Sequence, residues 1–210
     1  MQLFADRADA GRRLAVTLDA YADDPDVIVL ALPRGGVPIG YEIAHRLHVP
    51  LDVYVVRKLG VPGHEELAMG ALASDGTCVI DEELIASLGI AAATLEEVVQ
   101  REMGEIRRRE IAYRDARPEP TIAGKTVIVV DDGLATGATM RAAAMALRSR
   151  DPAVIVAAVP VAAARTCASL RNVVDRVVCL YTPEPFHAVG LYYRNFEQTS
   201  DDEVRRLIAA

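Results

Sequence analysis

The chain has 210 residues, 51% of them hydrophobic, and a formal net charge of -7. This length supports one substantial core with room for a small appended subdomain. The acidic balance excludes a general nucleic-acid binder but allows a local basic site for an anionic small molecule.

The N-terminal stretch MQLFADRADAGRRLA mixes Asp and Arg where a signal peptide needs an apolar run. Residues from Asp6 to about Tyr21 read as a helix, with Leu3 or Phe4, Leu14, Val16 and Leu18 offered to a core. VIVLALP, Val27 to Pro33, is a short apolar run closed by Pro-Arg-Gly-Gly and suits a buried strand. A helix is expected over Val37–Leu47 and a second strand over Leu51–Arg57. Lys58–Gly76 is rich in glycine and polar residues and is expected to be a long loop, or a loop plus hairpin, before a strand resumes at Thr77.

Asp81–Arg117 differs in character. Thr94 and Glu97 have capping-box spacing, and Leu95, Val98, Val99, Met103 and Ile106 follow at helical intervals. One long amphipathic helix is expected, stopped by Pro118 and Pro120. Its Arg107–Arg109 run sits among Glu102, Glu105 and Glu110, so it reads as an ion-paired solvated face. The apolar stripe of this helix is a candidate contact for a homodimer. Strand Thr126–Val130 comes next, then a small-residue loop and a helix from Thr139 to about Arg150. AVIVAAVPV, a helix from about Ala163, and RVVCLYTP complete the alternation. The longest apolar stretch, from Ala153, is too short to span a bilayer and contains Pro160. Cys78, Cys167 and Cys179 show no CxxC spacing and read as reduced thiols. A cytoplasmic protein with no membrane and no nucleic-acid partner is therefore expected. Strands alternating with helices predict an α/β fold: an open, mostly parallel twisted sheet with flanking helices.

The chemistry concentrates in VIVVDDGLATGATMRAA, Val127 to Ala143. In parallel α/β sheets, ligands sit beyond the carboxyl ends of strands where strand order reverses. The strand would deliver Asp131 and Asp132 to that edge. Gly133 and Gly137, with the small Ala135 and Ala138, let backbone amides turn toward one point. Thr136 and Thr139 add hydroxyls, and the following helix adds its positive N-terminal end, which together make a site for a phosphate monoester. Carboxylates repel phosphate and seek donors, which the vicinal hydroxyls of a sugar supply. The pattern therefore points to a sugar phosphate. Two other patterns are set aside. Gly124-Lys125-Thr126 lacks the first glycine of a P-loop, where Glu119 stands, and His45 with His48 lack a third metal ligand.

VIVVDDGLATGAT resembles the 5-phosphoribosyl pyrophosphate (PRPP) signature of type I phosphoribosyltransferases. ALPRGGVPIGYEIAHRL resembles that family's pyrophosphate loop, and the whole layout resembles a bacterial subgroup in which a long helical segment separates lid from signature. The resemblance implies one domain over 1–210, with a helical insertion at about 81–117 and a C-terminal hood at about 182–210. It implies that PRPP is held by Gly133, Leu134, Ala135, Thr136, Gly137, Ala138 and Thr139, with the ribose on Asp131 and Asp132. Arg34 and the amides of Gly35 and Gly36 would hold pyrophosphate, in a loop where the family often has a non-proline cis peptide. Arg57 and Lys58, at the end of the second strand, form a basic pair for the same oxygens, with Lys58 and Arg34 assisting departure. Lys58–Gly76 falls at the family's catalytic lid, on which His64, Glu65 and Glu66 would ride. Mg²⁺ would arrive on PRPP with no direct protein ligand, and the acceptor would be a nucleobase that the sequence does not identify.

Two features depart from the family pattern. Members acting on 6-oxopurines carry Asp where this chain has Ala135, which weakens that assignment. Phe186, Tyr192, Tyr193 and Phe196 cluster in the hood region and suit either base stacking or a small satellite core. A PRPP- or nucleotide-sensing regulator, or a ribose-phosphate hydrolase or phosphorylase, are the competing readings.

Overall fold

The computed structural model describes residues 3–114 and 119–210, apart from the side chains of Glu65, Glu66 and Arg114. Among the described residues, five strands form a parallel sheet: β1 (Val27–Ala31), β2 (Leu51–Val53), β6 (Thr126–Val130), β7 (Val154–Val161) and β8 (Arg176–Tyr181). A second, antiparallel sheet consists of β3 (Val56–Val61), β4 (His64–Ala73) and β5 (Cys78–Ile80). The parallel order is β2-β1-β6-β7-β8. The chain leaves β1 toward β2 on one side and later returns to β6 on the other, so strand order reverses between β1 and β6.

The period-two geometry of strands explains the apolar runs. Ile28, Leu30, Val127, Val129, Ile155 and Ala157 face one core, completed by α5 (Ala138–Arg148) and α6 (Ala164–Leu170). Val27, Val29, Ile128, Val130, Val156 and Ala158 face the opposite core, completed by α1 (Arg7–Val16) and α2 (Gly36–Leu47). Both faces are covered, which is why these strands show no polar alternation. Phe4, Leu14 and Leu18 are buried as expected, but Val16 is 55% exposed. The helix ends at Val16 and a 3₁₀ turn, Asp19–Tyr21, follows.

The expected second strand is in fact two. Leu51–Val53 pairs with β1 in parallel, whereas Val56 onward pairs antiparallel with β4. Tyr54 still donates its N–H to the Ala31 carbonyl at 3.0 Å, and Ser74 donates to Val55 at 2.9 Å, so the change of sheet occurs between Tyr54 and Val56. The expected loop Lys58–Gly76 is mostly this hairpin. Leu59, Met69 and Leu72 are almost fully buried, whereas the tip at Gly63 and His64, together with Leu67 and Ala68, is exposed. Glu65 and Glu66 have side chains outside the described residues. The hairpin is anchored to the turn that follows α5 by a half-hidden network. Asp75, whose side chain is 6% exposed, accepts from Arg150 at 2.8 Å and from the Thr77 N–H at 2.8 Å. Arg150→Ala would leave that carboxylate buried without its cation. It is expected to cost about 3 kcal/mol, or roughly 6–12 °C in Tm for a chain of this size, read by differential scanning calorimetry.

The expected long helix is α4 (Ala92–Arg114), and a short helix, α3 (Glu82–Ser87), capped by Asp81, precedes it. Helix α4 begins two residues before Thr94, because the preceding alanines are strong helix formers and extend it. Pro118 lies outside the described residues. Val98 and Ile106 of the α4 stripe pack within the chain on Val55, Leu59 and Val61, and on Val204 and Ile208 of α7 (Asp201–Ala209). The face assigned to a homodimer is therefore covered internally. Helix α7 is capped by Ser200, whose hydroxyl accepts from the Glu203 N–H at 3.1 Å. No helix among the described residues is long and apolar enough to cross a membrane.

Candidate functional site

The loops after β1 and β6 meet at the reversal point. Leu32 donates to the Val130 carbonyl at 2.9 Å and Gly36 donates back to Leu32 at 3.0 Å, which ties the two strand ends together. The Pro33–Arg34 peptide is cis. After β6 come Asp131 and Asp132, then a hollow of about 160 Å³ lined by Asp131, Gly133–Met140 and Val189. Gly137, at φ +73°, caps the start of α5 in the left-handed conformation that glycine adopts without strain. Among the described residues, the amides of Ala135, Thr136 and Gly137 donate to no other group. They stand at the positive end of α5, where an anion is favoured. Thr166 of α6, buried and unremarked in the sequence, braces the loop by donating to the Ala135 carbonyl at 2.6 Å.

The two aspartates are tied at one oxygen each. Asp131 Oδ1 accepts from the Asp132 N–H at 2.8 Å, and Asp132 Oδ2 accepts from Arg7 Nε and Nη2 at 3.0 and 2.8 Å. Among the described residues, no other residue donates a hydrogen bond to Asp131 Oδ2 or Asp132 Oδ1. Burial, and then the neighbouring Asp132 charge, push the Asp131 carboxyl well above the usual carboxylate range. Burial also raises Asp132, and the Arg7 guanidinium opposes it. Two oxygens that want donors thus sit beside a pocket of donors that want an anion.

The basic residues are distributed differently from the expectation. Arg34 Nη1 lies 3.6 Å from Asp201 Oδ1, at the first residue of α7, and the Tyr113 hydroxyl of α4 donates to the same oxygen at 3.0 Å. Arg57 and Lys58 are not at a parallel strand end but within β3, on opposite faces. Arg57 is turned to α4, where its Nε meets Glu102 at 2.8 Å; Arg101 meets the other oxygen at 3.1 Å. Lys58 is on the face that carries Tyr54, Val56, Ala71 and Ala73 toward α5. Glu102 is 7% exposed, and although burial raises its carboxyl, Arg57 and Arg101 together hold it below the ordinary 4.5. Stability from this cluster is therefore full above that value and lost as pH falls through the lowered one. Glu102→Gln is expected to flatten the acid limb of stability as pH falls below the ordinary glutamate range, read by urea unfolding at each pH.

The C-terminal aromatics form a satellite core. Tyr193 stacks against Phe4 at 5.3 Å and Phe196 at 5.0 Å, and Phe186 against Tyr192 at 5.4 Å. Residues 3–5 pair with 192–195 through backbone bonds such as Arg194 N–H to Phe4 at 2.9 Å. From this position the Tyr193 hydroxyl donates to the Asp132 carbonyl at 2.6 Å. Arg7, Tyr193, Asp201 and Glu102 all touch residues of the candidate site; the sequence marks Tyr193 only as part of the aromatic cluster and Glu102 only as part of an ion-paired helix face, and it names the partner of none of the four. Each is a common polar residue whose partner lies 45 or more positions away. His48 Nδ1 lies 3.0 Å from Asp23, and no group of three or more potential metal ligands occurs among the described residues.

Residues 2–194 match the family model described as phosphoribosyl transferase domain. Two Mycobacterium tuberculosis proteins, both provisionally named phosphoribosyl transferases, are 46% identical over 204 residues. The match covers 97% of this chain and 46% of theirs, so the chain spans about half the length of the curated relatives it matches. The crystal structure of TT1426 from Thermus thermophilus has a TM-score of 0.89 at 38% identity, covering 99% of this chain and 98% of that one. A hypothetical protein from Neisseria gonorrhoeae with bound ppGpp shares the fold, with a TM-score of 0.53 at 15% identity, covering 100% of this chain and 96% of that one.

Proposed function

Because this chain belongs to the phosphoribosyl transferase domain family, we propose that it displaces pyrophosphate from C1′ of PRPP with a nitrogen nucleophile, a nucleobase in the first instance. The observation that carries the reading is the pairing of two aspartate oxygens, to which no other described residue donates, with a loop of uncommitted amides, both at the β1/β6 reversal point. Gly133–Thr139 anchor the 5-phosphate, so binding energy from a remote group positions the reacting carbon. Asp131 Oδ2 and Asp132 Oδ1 each accept one ribose hydroxyl, and their charge favours the oxocarbenium-like ring as it develops. Arg34 exchanges Asp201 for pyrophosphate, aided by the Gly35 and Gly36 amides and by Lys58. Arg57 is left out of this set because Glu102 already holds it.

The donor set fits Mg²⁺ delivered on the substrate. The substrate's phosphates and several waters would fill the coordination shell of that ion, so Asp131 and Asp132 stay with the ribose hydroxyls and no direct protein ligand is needed. When bound, the ion neutralises charge on the pyrophosphate. Ala135 puts no carboxylate in the loop for a 6-oxopurine, which favours other acceptors. The proposal includes one domain over 1–210, with the 81–117 segment as an insertion, 182–210 as a hood, a cytoplasmic location and a homodimer joined away from the α4 stripe.

The test is calorimetric titration of Mg–PRPP into the protein, followed by a screen of bases for pyrophosphate release. Binding with base-dependent release supports the transferase. Binding without release from any base supports a sensor, release without a base supports a hydrolase, and no binding removes PRPP as the ligand.

A further inference from the structure

Arg7 joins three parts of the molecule that the chain keeps far apart. It is the first residue of α1, and its side chain is 12% exposed. Two of its nitrogens grip Asp132 Oδ2, at 3.0 and 2.8 Å, and Nη1 donates to the Glu197 carbonyl at 2.6 Å. Its guanidinium lies 3.9 Å over the Phe196 ring. A planar fork with every nitrogen committed and one face stacked has little freedom left. Asp132 is equally constrained, because Tyr193 holds its carbonyl and Asp131 takes its N–H.

We propose that Arg7 is a positioning residue for the ribose clamp: it fixes Asp132 through Oδ2, leaves Oδ1 for a sugar hydroxyl, and is itself set by Phe196 and Glu197 of the C-terminal segment. The inference rests on the functional reading above and adds a residue to it. Its electrostatic logic follows from the surroundings of Asp132. The charged or titratable groups facing it are Asp131 from its own loop, Arg7 from α1 and the Tyr193 hydroxyl from the C-terminal segment. The β1–α2 loop presents Gly35 there, while the Arg34 side chain pairs with Asp201. Arg7 is thus the cation beside two desolvated carboxylates. Without it, one of them protonates more readily, and a protonated acid turns one of its oxygens from acceptor to donor.

The experiment follows the aspartate carboxyls by ¹³C NMR and Mg–PRPP binding by calorimetry, both against pH. Arg7→Met keeps the length of the side chain and removes charge and fork. It is expected to move the Asp132 titration to higher pH and weaken PRPP about tenfold or more at neutral pH, with the deficit narrowing as pH rises. Arg7→Lys restores the charge, so the titration returns toward wild type while part of the affinity loss remains. Phe196→Leu shifts both readouts in the Arg7→Met direction, by less. Arg12→Ala, on the exposed side of the same helix and paired with Glu42 of α2 at 3.1 Å, changes neither. An Arg7→Met protein with wild-type aspartate titration and a wild-type pH profile overturns the proposal. If that variant does not fold, Arg7→Lys and Phe196→Leu decide by the same criteria. Wild type that binds no PRPP overturns the functional reading instead, and the carboxyl titration still decides whether Arg7 sets Asp132.

Discussion

Replacing Asp131 and Asp132 together by asparagine is expected to abolish PRPP turnover and weaken Mg–PRPP binding about a hundredfold or more, since two charge-assisted hydrogen bonds are lost. Each substitution is isosteric and keeps an oxygen that accepts from the Asp132 amide or from Arg7. Both carboxyls are pushed up by burial, so their ionised forms disfavour the folded state at neutral pH. The sign is clear. Groups raised in the folded state contribute stability at low pH and withdraw it as pH rises, so the double variant should melt no lower than wild type at pH 7. Loss of binding with retained stability separates a functional pair from a structural one. The same raised values predict that wild-type PRPP binding declines on acidification at a pH above the ordinary aspartate range. Calorimetry of both proteins across pH, with Arg108→Ala as an exposed control paired with Glu105, reads all of this. Unchanged affinity in the double variant would remove the ribose clamp.

Alanine at two adjacent glycines is expected to fail in two different ways. At Gly36 a Cβ would stand 2.4 Å from the Val130 carbonyl oxygen and 3.1 Å from the Asp131 Cα. Both are backbone at the end of a central strand, so relief requires the start of α2 to move off the end of β6. Gly36→Ala should cost about 3 kcal/mol or more as overpacking, visible as roughly a 6–12 °C fall in Tm. At Gly35 a Cβ would stand 2.1 Å from Asp132 Oδ2 and 2.7 Å from its Cγ. Here the obstacle is a side chain, which can swing aside, but only by leaving Arg7. Gly35→Ala is therefore expected to keep most of its stability and lose PRPP affinity about tenfold or more. Equal Tm losses in both variants, with PRPP affinity retained by Gly35→Ala, would sink this distinction.

Much of the parallel sheet was legible in the sequence, because a strand covered on both faces must be apolar throughout. VIVLA, TVIVV and VIVAAVPV are such runs, each followed by a loop and a helix of the right length. The phosphate loop was legible too, since small residues, threonines and paired aspartates are confined to a dozen neighbouring positions. The hairpin was less so: Leu51–Val61 is one nearly continuous β-prone run, and nothing local marks where it leaves one sheet for another. The switch at Tyr54–Val55 depends on Ser74, twenty residues on.

Local pattern, then, determined which segments are strands and helices, where the loops with chemistry lie, and which family the chain resembles. Tertiary structure alone decided which charges meet. Arg7 with Asp132, Arg34 with Asp201 and Arg57 with Glu102 are pairs separated by 125, 167 and 45 positions. Periodicity reports only whether a residue faces core or solvent, and it is silent on the partner. An ion pair needs two charged groups within about 4 Å, a distance set by how helices α1, α4 and α7 pack on the sheet. That packing turned Arg57 away from the site, placed Arg7 in it, and left one oxygen on each aspartate open to a ligand.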